Sequence, residues 1–401
     1  MEEHDLIIIG AGPAGISTAL HLLQLNPSWA HRMVILEKEA HPRAKLCGGG
    51  VTRLGLNVLQ GLGFDLPLPL PQAWVNDIRL IYRKRIVHVR GQPQFIVFHR
   101  PELDAYLAKQ AQERGVCIRQ NEAVQSLERD SQGVTVITTR GTYRAQVVVG
   151  ADGVNGLCRR MIKTSLAPAR IARLLEVLTP AAKEAPQFSE RYALFDFTPV
   201  EQHLQGYIWD FPSWVEGQPC FNRGIYDSRV SRHRPRSDLP RVLQGALASC
   251  GADLARIKLK GYPIHRFSPR NRFATTRLLL AGEAAGIDPL FGEGIAPALG
   301  YGQVAAQSIQ DAFNRRDYAF ADYPRRLFLS TVGRYLIIRW AIAWWGYRLC
   351  GQPWFMHALW SVAWAVAALW RKPPPLTEVE AKLRHIEMEE VTSGRKHLPR
   401  Y

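Results

Sequence analysis

The stretch Asp5-Leu-Ile-Ile-Ile-Gly-Ala-Gly-Pro-Ala-Gly15 decides the fold of this chain. Its apolar start predicts a buried strand, and the segment from Ile16 to Leu25 that follows has helical character. Between strand and helix, Gly10, Gly12 and Gly15 form the pattern G-x-G-x-x-G. This pattern permits a tight turn out of the strand and a close packing of the helix against it. We therefore expect the N-terminus of the helix to face a bound anion.

A second strand and an acidic residue extend this pattern. The apolar run Met33 to Leu36 predicts another buried strand, and Glu37 follows it directly. A carboxylate at this point can accept hydrogen bonds from ribose hydroxyls, so the spacing favours a Rossmann-like dinucleotide-binding unit. Ala14 and Lys38 flank the two turns and belong to the predicted binding residues. The alternative is a glycine-rich turn of an ordinary α/β protein with a solvated Glu37.

The composition limits the classes of function. The chain has 401 residues, enough for two domains, and is 47% hydrophobic and 21% charged, which is typical of globular proteins. Its net charge of +16 indicates an anionic partner, and the scattered Arg and Lys favour a membrane surface or a phosphate over nucleic acid. The six cysteines form no C-x-x-C pair, and no signal peptide precedes the first strand. We therefore expect a cytoplasmic protein without a metal site.

Glycine-bearing turns recur after two later apolar strands, as Gly150-Ala-Asp-Gly153 and Gly282-Glu-Ala-Ala-Gly286. Three such turns that converge on one ligand favour FAD over NAD, because FAD is then held along its length. Between the turns lie Pro-rich and β-leaning segments, which indicate a chain that leaves one domain and returns to it. The predicted parts are an α/β FAD-binding domain (1–70, 96–165 and 271–334), an α+β substrate domain (71–95 and 166–270) and a Trp-rich helical C-terminal region (335–401).

Together, these motifs resemble those of the FAD-dependent oxidoreductases of the aromatic-hydroxylase (glutathione-reductase-like) superfamily, and among them the geranylgeranyl reductase family. The resemblance runs from about residue 5 to about residue 330. The first glycine motif matches the family's ADP-binding turn, and Gly150 to Gly153 match its second flavin turn. The third turn continues through Pro289 to Gly292-Glu-Gly-Ile295. It carries Glu283 where the family usually has Asp, so the contact of this carboxylate with the flavin ribityl chain is expected to shift.

The resemblance implies a set of cofactor-binding residues. Two of them have a competing interpretation: Arg100 could be a solvated residue at a helix start, and Asp152 could cap the helix that begins near Leu157. We expect both to contact the flavin instead. The full set is Gly10, Gly12, Ala14, Gly15, Glu37, Lys38, Cys47, Gly48, Arg100, Val124, Asp152, Gly153, Glu283, Gly292, Gly294 and Ile295.

Two further segments separate prenyl reductases from hydroxylases. Lys45-Leu-Cys-Gly-Gly49 resembles the family's K-x-C-G-G loop, and Gly206-Tyr-Ile-Trp-Asp-Phe-Pro212 resembles its Y-x-W-x-F-P segment. The family often has Pro three residues before the Tyr, where this chain has Leu204. Flavin halogenases carry a segment related to the second one, so the Cys-Gly-Gly loop is the feature that favours a reductase.

The implied activity is an FAD-dependent reduction of C=C bonds in a prenyl chain on a lipid or quinone, with hydride from the reduced flavin. The implied partners are a prenyl-lipid or prenyl-diphosphate substrate and, as electron donor, NAD(P)H or a ferredoxin. A monooxygenase or halogenase, or an electron-transfer protein without substrate chemistry, is the alternative. Cys47, Tyr207 and Trp209 are the predicted catalytic residues, although Cys47 could simply pack in a tight loop and the two aromatic residues could share an ordinary sheet face. The predicted substrate-binding residues are Lys45, Tyr207, Trp209, Phe211, Pro289 and Phe291, with Arg43 and Arg53 as further charge partners.

The C-terminal quarter has its own character. The stretch from Tyr335 to Trp370 holds seven of the eleven tryptophans. Aromatic and basic residues together are typical of a membrane interface, and a clean transmembrane span is interrupted by Arg339, Arg348, Gln352 and His357. We expect peripheral contact with the cytoplasmic face of a membrane; the alternative is a helical pair that covers the substrate domain.

Overall fold

Two eight-stranded sheets organise the chain in the computed structural model, which describes residues 1–162, 171–252 and 259–369. The strands are β1 (Glu2–Ile9), β2 (Met33–Leu36), β3 (Gly50–Thr52), β4 (Gln72–Tyr82), β5 (Arg85–Phe98), β6 (Cys117–Arg119), β7 (Val124–Arg129), β8 (Val134–Thr138), β9 (Thr142–Gly150), β10 (Ile171–Pro180), β11 (Tyr192–Asp196), β12 (Gly206–Val215), β13 (Gln218–Asp227), β14 (Lys260–His265), β15 (Ala274–Thr275) and β16 (Leu278–Leu280). The α-helices are α1 (Pro13–Leu25), α2 (Arg53–Gly61), α3 (Arg100–Glu113), α4 (Leu157–Met161), α5 (Pro186–Ser189), α6 (Leu239–Ser249), α7 (Ile295–Arg315), α8 (Tyr323–Leu329), α9 (Thr331–Leu349) and α10 (Pro353–Leu369).

The first sheet has the order β15-β16-β9-β1-β2-β6, and β8 and β7 extend it beyond β9. Its central pairs are parallel: Ile9 lies opposite Leu36 on one side and Gly150 on the other, and Gly150 lies opposite Leu280. The carboxyl ends of four strands therefore meet at one edge, where a Rossmann-like sheet binds its ligand. The predicted α/β fold is confirmed.

Helix packing explains the spacing of the first glycine motif. Helix α1 packs on α7 and lies close to β1. A Cβ atom on Gly15 would lie 2.0 Å from the carbonyl oxygen of Gly10, and one on Gly10 would lie 2.4 Å from that of Ala151. No side chain fits at either position, so the two glycines permit the close approach of strand, turn and helix.

The second sheet has the order β14-β10-β13-β12-β11-β4-β5-β3 and is antiparallel except for the pair β11 and β4. Alternation along β12 brings Tyr207, Trp209 and Phe211 to one face. Strand β3 and the end of β5 also belong to this sheet, although both lie in segments that the sequence assigns to the FAD-binding domain. The second sheet therefore reaches directly behind the Cys-Gly-Gly loop.

The C-terminal region is helical, as predicted, as far as residue 369; the remainder of the predicted region 335–401 lies outside the described residues. Helix α10 packs through Met356 and Trp360 against Tyr82 and Val87 of the β4–β5 hairpin. Within the described ranges, no helix is both long and apolar enough to cross a membrane.

Candidate active site

A continuous cavity of about 690 Å³ joins the edge of the first sheet to one face of the second. At one end it is lined by the three glycine-bearing turns, and at the other by aromatic side chains of β11 and β12. All of the predicted cofactor-binding residues except Gly15, which is covered by the turn, contribute to the lining. The fold thus brings together turns that lie far apart in the sequence.

The first turn is held by the acid that ends β2. The backbone N–H of Ala11 donates to Glu37 Oε2 (2.9 Å), and the N–H of Glu39 donates to Glu37 Oε1 (3.1 Å). Arg43 lies beside this carboxylate at 3.6 Å and beside Asp104 at 3.3 Å. Both oxygens of Glu37 retain a lone pair, which is the requirement for binding ribose hydroxyls.

The aspartate of the second turn caps a helix and also lines the cavity. Asp152 Oδ2 accepts a hydrogen bond from the N–H of Cys158 (2.9 Å) and so caps α4. Its Oδ1 is buried and, among the described residues, has no hydrogen-bond partner, although Asp152 lines the cavity. Burial raises the pKa of Asp152. A buried acceptor without a partner is costly unless a ligand donates to it, so the site fits a hydroxyl-bearing cofactor.

The carboxylate of the third turn pairs with a lysine of the Cys-Gly-Gly loop. Glu283 Oε2 lies 3.1 Å from Lys45 Nζ and accepts from the hydroxyl of Tyr262 at 3.5 Å. The Lys45 ammonium also lies 3.6 Å from the centre of the Tyr262 ring. Because Glu283 pairs with this lysine, Lys45 belongs to the cofactor end of the cavity. Helix α7 begins at Ile295, and its N-terminus faces the same end.

The Cys-Gly-Gly loop lies in the middle of the cavity. Cys47 and Gly48 line it, and the N–H of Gly49 donates to Cys47 Sγ at 3.4 Å. Arg100, which begins α3, is buried and donates twice to Asp104, at 2.9 and 2.8 Å. It also interacts with Cys47, so it is not a solvated residue. The pair of Arg100 and Asp104 therefore supports the loop from the first domain.

Aromatic side chains form the other end of the cavity. The Tyr207 hydroxyl donates to the carbonyl oxygen of Phe291 at 2.5 Å, and burial raises the pKa of Tyr207 well above its ordinary value. The Phe195 ring lies 5.0 Å from both Tyr207 and Phe211. Pro289, a predicted substrate-binding residue, does not line the cavity. Its carbonyl oxygen accepts hydrogen bonds from the hydroxyls of Tyr226, on β13, and Ser228.

A buried ion-pair cluster was missed by the sequence analysis, which treated Arg339 only as an interruption of an apolar stretch. Arg339 points inward from α9, lines the cavity, and donates to Asp288 Oδ2 at 2.8 Å. Glu293, also at the cavity, accepts from Thr52 at 2.5 Å and from Tyr335. A buried arginine in an apolar helix needs a charged or polar partner. The sequence could therefore have predicted a pairing between this arginine and the acids of the third turn.

Residues 3–314 match the family described as FAD binding domain. The chain belongs to the FAD-binding domain family. FAD is the cofactor, as the sequence predicts, and the three turns, the unpartnered Asp152 oxygen and the N-terminus of α7 fit it.

Relatives of this flavoprotein include two proteins named digeranylgeranylglycerophospholipid reductase. The one from Methanosphaera stadtmanae is 24% identical and covers 84% of this chain and 87% of its own. The one from Methanosarcina acetivorans is 25% identical, and the match covers 78% of this chain and 77% of its own. A rifampicin monooxygenase of Streptomyces venezuelae is also 25% identical, but this chain spans only 62% of it. The predicted resemblance to the geranylgeranyl reductases is confirmed, and the chain is an FAD-dependent oxidoreductase.

Solved structures agree on the fold. A geranylgeranyl bacteriochlorophyll reductase-like protein of Thermoplasma acidophilum superposes with a TM-score of 0.74 at 19% identity, over 98% of this chain and 99% of its own. The halogenase PltM superposes with a TM-score of 0.67 at 16% identity, and the match covers 98% of this chain and 84% of its own. The fold is thus common to reductases and halogenases, and the chemistry has to be argued from the cavity.

Proposed function

We propose that this flavoprotein saturates C=C bonds of a prenyl chain, of geranylgeranyl type, carried by a lipid or a quinone. The observation that carries the proposal is the continuity of the cavity: the cofactor end opens directly into a region lined by aromatic and aliphatic side chains. Such a lining binds a hydrocarbon chain and offers few polar groups to a polar aromatic substrate. The lining residues of this region include Ile78, Leu80, Phe195, Tyr207, Trp209, Phe211 and Phe291.

Saturation of an isolated double bond adds a hydride to one carbon and a proton to the other. Bound, reduced FAD supplies the hydride. The protein supplies the proton and holds the alkene, which has no polar group of its own. The Cys47 thiol and the Tyr207 hydroxyl lie at the cavity surface, and the raised pKa of Tyr207 keeps its hydroxyl protonated. The Trp209 indole is fixed by its hydrogen bond to Asn222 (2.8 Å) and acts as a rigid wall.

The basic residues near the site serve the cofactor in this proposal. Lys45 is paired with Glu283, and Arg43 lies among the first-turn carboxylates, with its Nη2 atom 3.3 Å from where a Cβ on Gly12 would be. Both are therefore suited to the phosphates of FAD rather than to a substrate head group. Arg53 begins α2 and does not line the cavity.

An anaerobic assay tests the proposal. The FAD-loaded protein is reduced with dithionite and incubated with geranylgeranyl lipids and prenyl quinones, and the products are analysed by mass spectrometry. We expect a gain of one pair of hydrogens per reduced bond. The proposed physiological donors, NAD(P)H and reduced ferredoxin, are then compared as replacements for dithionite. No mass gain with any prenyl substrate would refute the proposal.

The second candidate is a monooxygenase or halogenase, which the rifampicin monooxygenase relative and the halogenase fold favour. It predicts that the reduced protein consumes oxygen and adds oxygen or halide to an aromatic compound. The same assay repeated in air, with and without halide, separates this activity from prenyl reduction. Reduction of the flavin by NAD(P)H or ferredoxin with neither product formed would indicate an electron-transfer protein.

We also propose that α9 and α10 contact the cytoplasmic face of a membrane. One face of α9 exposes Ile338, Ile342 and Trp345, and α10 exposes Trp354 and Trp364, each of them more than half exposed. Arg334 and Arg348 are exposed on the same helix, α9. A tryptophan-rich surface with basic residues beside it fits an anionic bilayer, from which a prenyl lipid would be taken.

Vesicle co-sedimentation tests this contact. We expect the full chain to bind vesicles that contain phosphatidylglycerol more tightly than vesicles of phosphatidylcholine alone. The double variant Trp354→Ser/Trp364→Ser should weaken binding by about tenfold or more, because two large apolar side chains no longer enter the interface. Leu178→Ser removes an exposed apolar side chain from the second sheet and serves as the control. Equal binding by both variants would contradict the proposal.

A further inference from the structure

One buried amide joins the Cys-Gly-Gly loop to the second sheet. Asn222 accepts a hydrogen bond from Trp209 Nε1 (2.8 Å) and donates through Nδ2 to the carbonyl oxygen of Cys47 (3.0 Å) and to Glu176 Oε1 (3.1 Å). An indole N–H can only donate, so the Asn222 oxygen must face Trp209 and its NH₂ group must face the two oxygens. The orientation of the amide is therefore determined by its neighbours.

Glu176 completes this arrangement from β10, although it does not line the cavity and has no part in the chemistry above. Its side chain is buried, and its Oε2 has no hydrogen-bond partner among the described residues. Burial raises the pKa of Glu176 to about 7. The hydrogen bond from Asn222, the backbone N–H of Cys47 and the positive charges of Arg100 and Lys260 oppose this rise.

The loop itself is weakly fixed by local structure. Cys47 and Gly48 belong to no helix or strand, and Gly48 has no side chain to anchor it. A Cβ on Gly48 would lie 3.2 Å from the Phe211 ring and 3.5 Å from Trp209 Nε1, so the loop backbone rests directly on the aromatic end of the cavity. Movement of Asn222 would therefore displace the Cys47 thiol and the Trp209 indole together.

We propose that Glu176 is a positioning residue that, acting through Asn222, holds the Cys47–Gly48 loop and the Trp209 indole in the geometry needed for reduction. An ionised carboxylate accepts stronger hydrogen bonds than a neutral carboxyl group, so the loop is held firmly when Glu176 is ionised and loosens when it is protonated. The charged and titratable groups that face Glu176 are Arg100 on α3, Lys260 on β14 and Cys47 itself. Of these, Arg100 keeps its charge across neutral pH, because its pKa is raised above its ordinary value.

The first test does not depend on the substrate. The full, FAD-loaded chain is treated with iodoacetamide, and alkylation of each cysteine is followed by peptide mass spectrometry. At pH 8 we expect Cys47 of Glu176→Gln to react about tenfold faster than in the wild type, which corresponds to the loss of one charge-assisted hydrogen bond. At pH 6, where the wild-type Glu176 is protonated, the two rates should converge. The neutral glutamine avoids burial of a charge, so the variant is expected to fold.

A second variant separates positioning from a direct charge effect on the thiol. Asn222→Ala keeps the carboxylate but removes the amide that joins it to the carbonyl oxygen of Cys47 and to Trp209, so it should also accelerate alkylation, and the double variant should be faster by less than the product of the two single effects. Cys158, which is fully buried, is the internal control for general opening. An unchanged Cys47 rate in Glu176→Gln, additive effects, or equal acceleration at Cys158 would each overturn the inference.

The second test rests on the proposed prenyl reduction. We expect kcat/KM of the wild type to rise with pH through about 7, the pKa of Glu176, and that of Glu176→Gln to stay at the low-pH level. Glu190→Gln, an exposed acid of the same domain, should keep the wild-type profile. If no prenyl substrate is reduced, the alkylation result still stands, so a failure of the proposed function and a failure of the positioning role are distinguishable. A wild-type pH profile in Glu176→Gln would overturn the role.

Discussion

The ion pair between α9 and the third turn allows a stability prediction to be worked from the structure. In Arg339→Met, Asp288 loses the guanidinium 2.8 Å away, while its own side chain is fully buried. Removing one partner of a buried pair typically costs about 3–5 kcal/mol. Asp288 keeps the backbone N–H donors of Leu290 (2.7 Å) and Phe291 (3.2 Å), which continue to stabilise its charge. We therefore expect the free energy of unfolding to fall by about 3 kcal/mol, near the lower limit of this range.

Urea unfolding followed by tryptophan fluorescence measures this loss. Arg348→Met is the matched control on the same helix, because Arg348 is exposed and contacts only the face of Trp344, at 3.6 Å, in the interactions described for it. That change should cost less than about 1 kcal/mol. The double variant Asp288→Asn/Arg339→Met removes both charges and should recover part of the loss, since the amide still leaves one of the two backbone N–H groups without an acceptor. Equal costs for the two single variants, or a double variant as unstable as Arg339→Met, would refute the reasoning.

Three further changes test the cofactor and substrate ends of the cavity. Gly15→Ala places a Cβ 2.0 Å from a carbonyl oxygen and should yield protein without flavin absorbance, whereas Gly61→Ala, with no atom within 4 Å, should stay yellow. Glu37→Gln leaves one of two backbone N–H groups without an acceptor, so FAD should bind the apoprotein about tenfold more weakly in a fluorescence titration. Tyr207→Phe removes the hydroxyl that donates to the carbonyl oxygen of Phe291. It should lower kcat for prenyl reduction about tenfold or more while the FAD content stays unchanged. An unchanged kcat would exclude Tyr207 as the proton donor.

The cofactor end could be predicted because its determinants are local. Each glycine-bearing turn directly follows an apolar strand, and parallel strands bring their carboxyl ends to one edge of a sheet. Glu37 was accordingly predicted from its spacing, and Asp152 from the resemblance of its turn to a flavin-binding turn. Glu283 was found as well, but its partner Lys45 lies 238 residues away, so the pairing that moves this lysine to the cofactor end could not be inferred from either segment.

The arginine of α9 shows a different limit. In the sequence, Arg339 interrupts an apolar, tryptophan-rich stretch and counts against a membrane span. The sequence does not reveal which side of the helix faces the protein. Tyr335 and Arg339, one turn apart, both reach acids of the third turn, Glu293 and Asp288. The C-terminal region therefore does not only cover the substrate domain; it also contributes side chains that bind the acids of the third turn.

The register of the second sheet determines how the aromatic side chains are arranged at their end of the cavity. One glycine of the sheet is required for this arrangement. Gly224 on β13 lies opposite Trp209 on one side and opposite Glu176 on the other. A Cβ on Gly224 would lie 2.2 Å from the Trp209 ring, so only glycine lets the indole lie flat across the strand. With the indole in that position its N–H reaches Asn222, and Asn222 in turn reaches Cys47. The tryptophan of the Y-x-W-x-F-P segment and the cysteine of the K-x-C-G-G loop thus depend on a strand that neither motif contains.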